Sequence, residues 1–183
     1  MDLLYSIADA IVRFMDSGPG LPIDLLYIVI ASVPVTLLHE LGHAAAARYL
    51  LGGEVRVTVG NVGKLAELTL GQIKVAINAF DHPARVAGTA EFDASRATAR
   101  SVLLIALAGP AASLAGTAIT AWALSAAPPG GIVHGLLWAA TGVGVFGVLN
   151  LVPLTLHERR DGPVVQTDGR LALDALRIAR ALS

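Results

Sequence analysis

Three long apolar stretches divide the chain, and a region of alternating polar and apolar residues lies between the first two. The stretches run from about Leu25 to Leu51, from Ser101 to Ala127 and from Ile132 to Val152. Each can cross the hydrocarbon core of a bilayer, which needs about 20 largely apolar residues in a helix. The second has no charged residue, and the third has a single ionisable residue, His134, near its start. The pattern predicts three transmembrane helices in one polytopic domain that comprises residues 1–183.

The remaining segments predict smaller elements. Apolar residues alternate with period two across residues 54–79, with Gly and Asn at the breaks, which predicts short strands joined by tight turns. Residues 81–98 are expected to be a polar connector. Residues 1–17 and 168–182 have apolar residues at helical spacing, so an amphipathic helix is expected at each end. A cleaved signal peptide is the competing interpretation of the first segment, but a basic start and a clean apolar centre are missing. The fold class is therefore an all-α membrane protein with a small β element.

Composition agrees with this fold class and narrows the chemistry. The chain is 55% hydrophobic with a mean hydropathy of +0.67, and charged residues make up 15%, whereas soluble domains have about a quarter. The net charge of −1 shows no basic footprint of the kind that nucleic acid binding requires, so nucleic acid is not expected as a partner. Because the chain has no cysteine, a metal site must use His, Asp or Glu.

The basic residues predict how the chain is oriented in the membrane. Seven Lys or Arg residues lie between Arg48 and Arg100, and five lie between Arg159 and Arg180. Three spans place these two regions on one side of the bilayer, and basic loops are usually cytoplasmic. The expectation is an integral protein of the cell membrane, with the lipid bilayer as a partner.

The first apolar stretch contains a cluster of ionisable residues, His-Glu-Leu-Gly-His. His39 and His43 are four residues apart, so they lie on one face of a helix and can reach one tetrahedral ion. Zinc lowers the pKa of a bound water, and Glu40 is placed to take the proton from that water. The alternative is a buried pair of structural histidines, since this pattern also occurs by chance. An ionisable group in a span costs about 2.5 to 3.5 kcal/mol on insertion scales, and a bound cation would offset this cost.

A catalytic zinc site requires a third protein ligand. Four residues after the third stretch are candidates by chemistry, namely His157, Glu158, Asp161 and Asp168. Asp168 is equally suited to cap the terminal helix, because Asp is a favoured N-cap residue. The residue types alone leave this choice open.

Three separated elements together resemble the site-2 protease family of intramembrane zinc metalloproteases. They are HELGHAAAA on the first stretch, LAGPAAS at residues 107–113 on the second, and NLVPL at residues 150–154 followed by an Asp-Gly pair. The resemblance implies a metalloprotease core of three transmembrane helices and one Zn²⁺ per chain. It also implies His39, His43 and an aspartate as ligands, with Glu40 as the general base. The implied activity is hydrolysis of a peptide bond in or near a transmembrane segment of a membrane-anchored protein, as in regulated intramembrane proteolysis.

The third element departs from the family pattern, in which the aspartate follows a few residues after the proline. Here a polar insertion intervenes, and the match favours Asp168, which Gly169 and an apolar helical pattern follow. The resemblance gives Asn150 a contact with the substrate backbone or the oxyanion, while a helix-end hydrogen bond is the plainer alternative. Gly109, Pro110 and Ser113 are expected to matter through packing.

The strand region and the insertion leave two further questions open. An unwound substrate segment can be bound by adding to an exposed strand edge, and Val55–Val59 and Ile73–Ile77 are the candidate edges. A small amphipathic sheet that rests on the membrane is the alternative. The rival function is a non-catalytic membrane protein that keeps the metal for structure, metal handling or partner binding. The insertion favours this rival, whereas Glu40 argues against it, because a structural metal needs no base.

Overall fold

The transmembrane core consists of three long helices. The computed structural model describes residues 12–14, 16, 18, 22–80, 87–157 and 164–181. Helices α1, α2 and α3 span Ile23–Leu51, Ala99–Ala126 and Ile132–Leu149, and each is long and apolar enough to cross a membrane. This agrees with the three predicted spans and indicates a membrane protein. Of the predicted N-terminal helix, residues 12–14 and 16 are helical, and the rest lies outside the described residues.

Small residues bring the helices into close contact. Helix α1 packs against both α2 and α3, and α2 also packs against α3. A Cβ atom at Gly42 would overlap the backbone carbonyl of Ala108, so glycine allows the backbones of α1 and α2 to touch. Without a hydrophobic force between helices in lipid, such close approach is what makes their association favourable.

A four-stranded sheet follows α1. Its strands are β1 (Val55–Val59), β2 (Val62–Leu70), β3 (Ile73–Ala79) and β4 (Gly88–Phe92), in the order β2-β3-β1-β4. Strands β1 and β3 are parallel, and the other pairs are antiparallel. Apolar side chains on alternate positions of β1 are fully buried against Ala44 and Ala47 of α1, namely Val55, Val57 and Val59. This packing holds the sheet alongside the second half of α1.

Two expectations about the strand region were wrong. The segment expected as a polar connector contains β4 at Gly88–Phe92, and the two stretches considered as free edges form the interior strands β1 and β3. The edges are β2 and β4. The sequence signal for β4 is weak because its five residues include one large apolar side chain, Phe92, and antiparallel pairing with β1 determines the strand instead.

The polar insertion after α3 leaves the helix bundle and returns to it. Strands β5 (Thr155–His157) and β6 (Val164–Gln166) pair as an antiparallel hairpin. At its base the hydroxyl of Thr167 accepts a hydrogen bond of 2.9 Å from the Leu154 amide. Helix α4 then runs through Asp168–Ala181 and packs against α2, which confirms the predicted C-terminal helix.

Gly169 fixes the start of α4 against the end of α3. Its amide donates a 3.0 Å hydrogen bond to the carbonyl of Asn150. A Cβ atom at position 169 would overlap the backbone carbonyl of Leu151. The Asp-Gly pair is therefore required by backbone contact, and it places Asp168 at the end of the transmembrane core.

The packing of β1 on α1 predicts the effect of a cavity. Replacing Val57 by Ala removes two methyl groups from a site with 0% exposure, and we expect it to lower the free energy of unfolding by about 1 to 3 kcal/mol. Thr58→Ala, on the opposite face of the same strand, should change it by less than about 0.5 kcal/mol. Denaturant unfolding in detergent micelles measures both. Equal losses in the two variants would contradict the assigned faces of β1.

Candidate metal centre

Two histidines of α1 and the first residue of α4 meet at one point. His39 Nε2 lies 3.0 Å from Oδ2 of Asp168, and His43 Nε2 lies 3.3 Å from Oδ1. The two Nε2 atoms are 3.2 Å apart, and the imidazole rings are oriented edge to face with centroids 4.8 Å apart. All three side chains are buried. The group that the sequence suggested is thus brought together across 129 residues of chain.

The spacing of these atoms fits a small tetrahedral cation. Zinc binds His nitrogen and carboxylate oxygen at about 2.0 to 2.2 Å, so two ligand atoms on a tetrahedral ion are separated by about 3.3 Å. The observed separations of 3.0 to 3.3 Å match this value. The group can therefore hold a metal ion without rearrangement of its backbone.

The hydrogen bonding of His43 leaves its Nε2 atom free to bind a metal. Its Nδ1 atom lies 2.7 Å from the carbonyl oxygen of Ile105 on α2. Because a carbonyl can only accept, Nδ1 carries the proton and Nε2 has the free lone pair. The ring also fits directly over Gly109, where a Cβ atom would overlap it. The close approach of α2 to α1 thus sets both the tautomer and the position of this imidazole.

Ser113 has a role that the sequence did not reveal. Its hydroxyl lies 2.8 Å from Nδ1 of His39, and the residue is 1% exposed. When the Ser113 hydroxyl accepts a hydrogen bond from Nδ1–H of His39, the Nε2 lone pair of His39 points at the shared centre. Packing alone was expected at this position. The span contains four other hydroxyl residues, Ser101, Thr117, Thr120 and Ser125, so polarity alone did not single out position 113.

Asn150 contacts the carboxylate of the third candidate ligand. Its Nδ2 atom donates a 2.5 Å hydrogen bond to Oδ2 of Asp168. This contact orients the carboxylate toward the histidines, and Asn150 also lines the cleft beside them. Its amide nitrogen therefore stabilises the position of Asp168, and the predicted contact with a substrate stays a prediction.

Asp168 is an ionised group at the first turn of α4, outside the membrane-spanning helices. Burial by itself raises the pKa of Asp168, but hydrogen bonds that His39 and His43 donate through Nε2 when both ring nitrogens carry a proton outweigh this effect and lower the pKa to about 2. The carboxylate is thus charged at neutral pH, as a metal ligand must be. Its alternative role as a helix cap belongs instead to Thr167, whose hydroxyl accepts from the Arg170 amide at 3.4 Å.

Glu40 lies beside the three candidate ligands in a cleft of about 400 Å³. The residue is 8% exposed, and its side chain packs against Gly88 at the start of β4. The cleft is further bordered by β4, by the start of α4 and by Ile105 and Ala106 of α2. A buried carboxylate next to a possible metal, in an open cleft, has the placement that a general base requires.

Among the residues that the structure describes, the group that could hold a metal ion consists of His39, His43 and Asp168. Glu158 and Asp161 lie outside the described residues, and His157 is described only as part of the backbone of β5. Comparison with protein-family models and with curated protein sequences gives no match. The geometry of His39, Glu40, His43 and Asp168 is therefore what indicates a function.

The three candidate ligands predict which substitutions release a metal. We expect His39→Ala, His43→Ala and Asp168→Asn each to reduce bound zinc from about one ion per chain to a small fraction of that, because two ligands bind far more weakly than three. Elemental analysis of the purified protein measures this directly. Asp174→Asn on the same helix and Asp161→Ala should keep the metal. Loss in Asp161→Ala together with retention in Asp168→Asn would contradict the assigned ligand.

The hydroxyl of Ser113 predicts a graded effect. Ser113→Ala should weaken zinc affinity about 10- to 100-fold without abolishing binding, which is the typical cost of removing a group that orients a metal-bound histidine. Competition with a chelator of known affinity measures the change. Ser125→Ala removes an exposed hydroxyl from the same helix and should leave the affinity unchanged. Equal affinities of Ser113→Ala and the wild type would exclude an orienting role.

Proposed function

We propose that the protein is an intramembrane zinc metalloprotease that hydrolyses a peptide bond in or near a transmembrane segment of another membrane protein. The observation that supports this most is the convergence of His39, His43 and Asp168 next to the buried carboxylate of Glu40. A site with a purely structural metal is closed by four protein ligands, whereas a catalytic site keeps an open position. Three candidate ligands that border a cleft fit the catalytic type.

The donor set and the separations of 3.0 to 3.3 Å between the ligand atoms together fit tetrahedral zinc. Two imidazole nitrogens and one carboxylate are a common ligand set of catalytic zinc. When bound, zinc would polarise the scissile carbonyl and make a water molecule more acidic. Glu40 would take the proton from the attacking water and pass it to the amine nitrogen of the departing peptide. Asn150 would hold Asp168 in place, and its amide oxygen would accept a hydrogen bond from the substrate backbone.

The free edge of β4 offers a way to bind the substrate as an extended chain. The Gly60 amide donates to the Ala87 carbonyl at 2.9 Å, so Gly60 and Ala87 form a hydrogen-bonded pair. Hydrogen-bonded and non-hydrogen-bonded pairs alternate along β1 and β4, and the next pair, Val59 and Gly88, is therefore not hydrogen-bonded. Gly88, Ala90 and Phe92 consequently direct their N–H and C=O groups away from β1, and all three line the cleft. Peptide bonds in a helix are shielded, so a substrate that pairs with this edge would expose its peptide bonds beside Glu40.

The proposed orientation follows from the elements that surround the site. The sheet, the hairpin and α4 connect to the ends of α1, α2 and α3 that lie nearest the metal centre. These elements include the two segments rich in Lys and Arg. The positive-inside tendency then places the metal centre toward the cytoplasmic side of the cell membrane. The proposed partner is a transmembrane protein whose span is cut near its cytoplasmic end.

The proposed role of Glu40 is tested by an isosteric substitution. Glu40→Gln should lower the cleavage rate at least 100-fold, since general acid and base catalysis contributes about 10² to 10⁴, while bound zinc stays near one ion per chain. A suitable probe is a tagged model protein with one transmembrane helix that carries a Gly-Pro pair near its cytoplasmic end. Cleavage in proteoliposomes is followed by gel electrophoresis. Glu67 is an exposed carboxylate on β2, and the control variant Glu67→Gln should cleave the substrate like the wild type.

Two outcomes would decide against the proposal. Full activity of Glu40→Gln would remove the proposed mechanism. Stoichiometric zinc in a wild-type protein that cleaves no single-span substrate would favour the non-catalytic metal-binding rival.

A further inference from the structure

A second free strand edge borders the cleft, on the hairpin that the polar insertion forms. Strand β6 pairs with β5 on one side, and no strand among the described residues pairs with its other side. Gln166, its last residue, is exposed and lines the cleft together with Thr167 and Asp168. The insertion thus places backbone directly next to the candidate metal ligands.

The hydrogen bonds at the base of the hairpin show which way this backbone points. The Thr167 amide donates to the Leu154 carbonyl at 3.2 Å. Hydrogen-bonded and non-hydrogen-bonded pairs alternate in an antiparallel ladder, so the next pair, Thr155 and Gln166, is of the second kind. The N–H and C=O groups of Gln166 therefore point away from β5, toward the free edge of β6. Those of Thr155 point the opposite way, and Thr155 does not line the cleft.

We propose that the substrate chain is held between two strand edges, with Gln166 of the β5–β6 hairpin pairing with the side of the peptide that β4 leaves free. An extended peptide has N–H and C=O groups along both sides, and one partner strand satisfies only one of them. Gly88, Ala90 and Phe92 would bind one side, and Gln166 would bind the other. This inference rests on the proposed protease function and identifies the hairpin as a substrate-binding element.

The ligand that these two strand edges fit is an extended polypeptide. The groups that border the cleft on β4 and β6 are backbone donors and acceptors that pair with no other strand in the described part of the chain. Apart from the four ionisable residues of the candidate metal centre, the side chains that line the cleft are uncharged, among them Thr89, Ala90, Phe92, Val102, Thr167 and Leu171. Backbone recognition of this type accepts many side-chain sequences, provided that the segment can unwind.

A pair of proline substitutions tests the inference. Proline lacks the amide hydrogen, so Gln166→Pro removes the N–H donor that faces the cleft. Thr155→Pro removes the N–H of the residue opposite Gln166 on β5, which faces away from the cleft. With the single-span model protein as substrate, we expect Gln166→Pro to raise KM about threefold to tenfold with kcat within a factor of two, the effect of one lost hydrogen bond. Thr155→Pro should leave both constants unchanged. Bound zinc should stay near one ion per chain in both variants.

Disulfide cross-linking provides a second measurement that does not require turnover. The chain has no cysteine, so Gln166→Cys and Thr155→Cys can each be combined with Glu40→Gln as the sole thiol. The partner is the model protein with one cysteine moved stepwise along its cleavage region. A disulfide requires Cβ atoms about 3.5 to 4.5 Å apart. We expect Gln166→Cys to cross-link at every second substrate position, as for adjacent strands, and Thr155→Cys to give less than a tenth of that yield.

The outcomes separate the two proposals. If the wild-type protein does not cleave the single-span substrate, the protease function itself is refuted. If the wild type cleaves, equal KM values for Gln166→Pro and Thr155→Pro overturn the role of the hairpin. If Gln166→Pro loses its zinc, the cross-linking experiment tests the role of the hairpin instead. Equal yields for Thr155→Cys and Gln166→Cys, or a yield that does not alternate along the substrate, would overturn that role.

Discussion

The meeting of two imidazoles and one carboxylate at separations near 3.2 Å is the constraint on which the rest of the structure depends. Two of the groups are on α1, and the third follows the last span, so the bundle has to bring distant segments into backbone contact. Gly42 and Gly109 allow α2 to approach α1, and Gly169 allows the start of α4 to touch the end of α3. A side chain at any of these glycines would displace a ligand or the backbone that carries it.

Every candidate ligand is held by a second polar group. The Ile105 carbonyl holds His43, the Ser113 hydroxyl holds His39, and the Asn150 amide holds Asp168. Polar atoms in an apolar bundle are costly unless they are paired, so this outer set makes the cluster compatible with a transmembrane core. It also fixes ring orientation and tautomer before any metal binds, which reduces the cost of assembling the site.

The elements outside the helix bundle are the ones that would bind a peptide in the proposed function. A helical substrate hides its backbone, and unpaired strand edges are the usual partner for one that has been unwound. Both sheets place such an edge at the cleft, β4 through its pairing with β1 and β6 through the hairpin that closes at Thr167. The insertion departs from the pattern of the family that the sequence resembles, and it lies at the cleft where the proposed substrate would bind.

The sequence by itself determined the three spans, the His39–Glu40–His43 arrangement and the amphipathic helix after Asp168, because hydrophobic length and helical period are local properties. Only the tertiary structure decided that β4 exists, that Ser113 and Asn150 support the candidate ligands, and that β1 and β3 are interior strands. These features depend on contacts between residues far apart in the chain, such as the 74 positions between His39 and Ser113. Local periodicity carries no information about such pairings, because backbone hydrogen bonds and close helix packing between distant segments determine them.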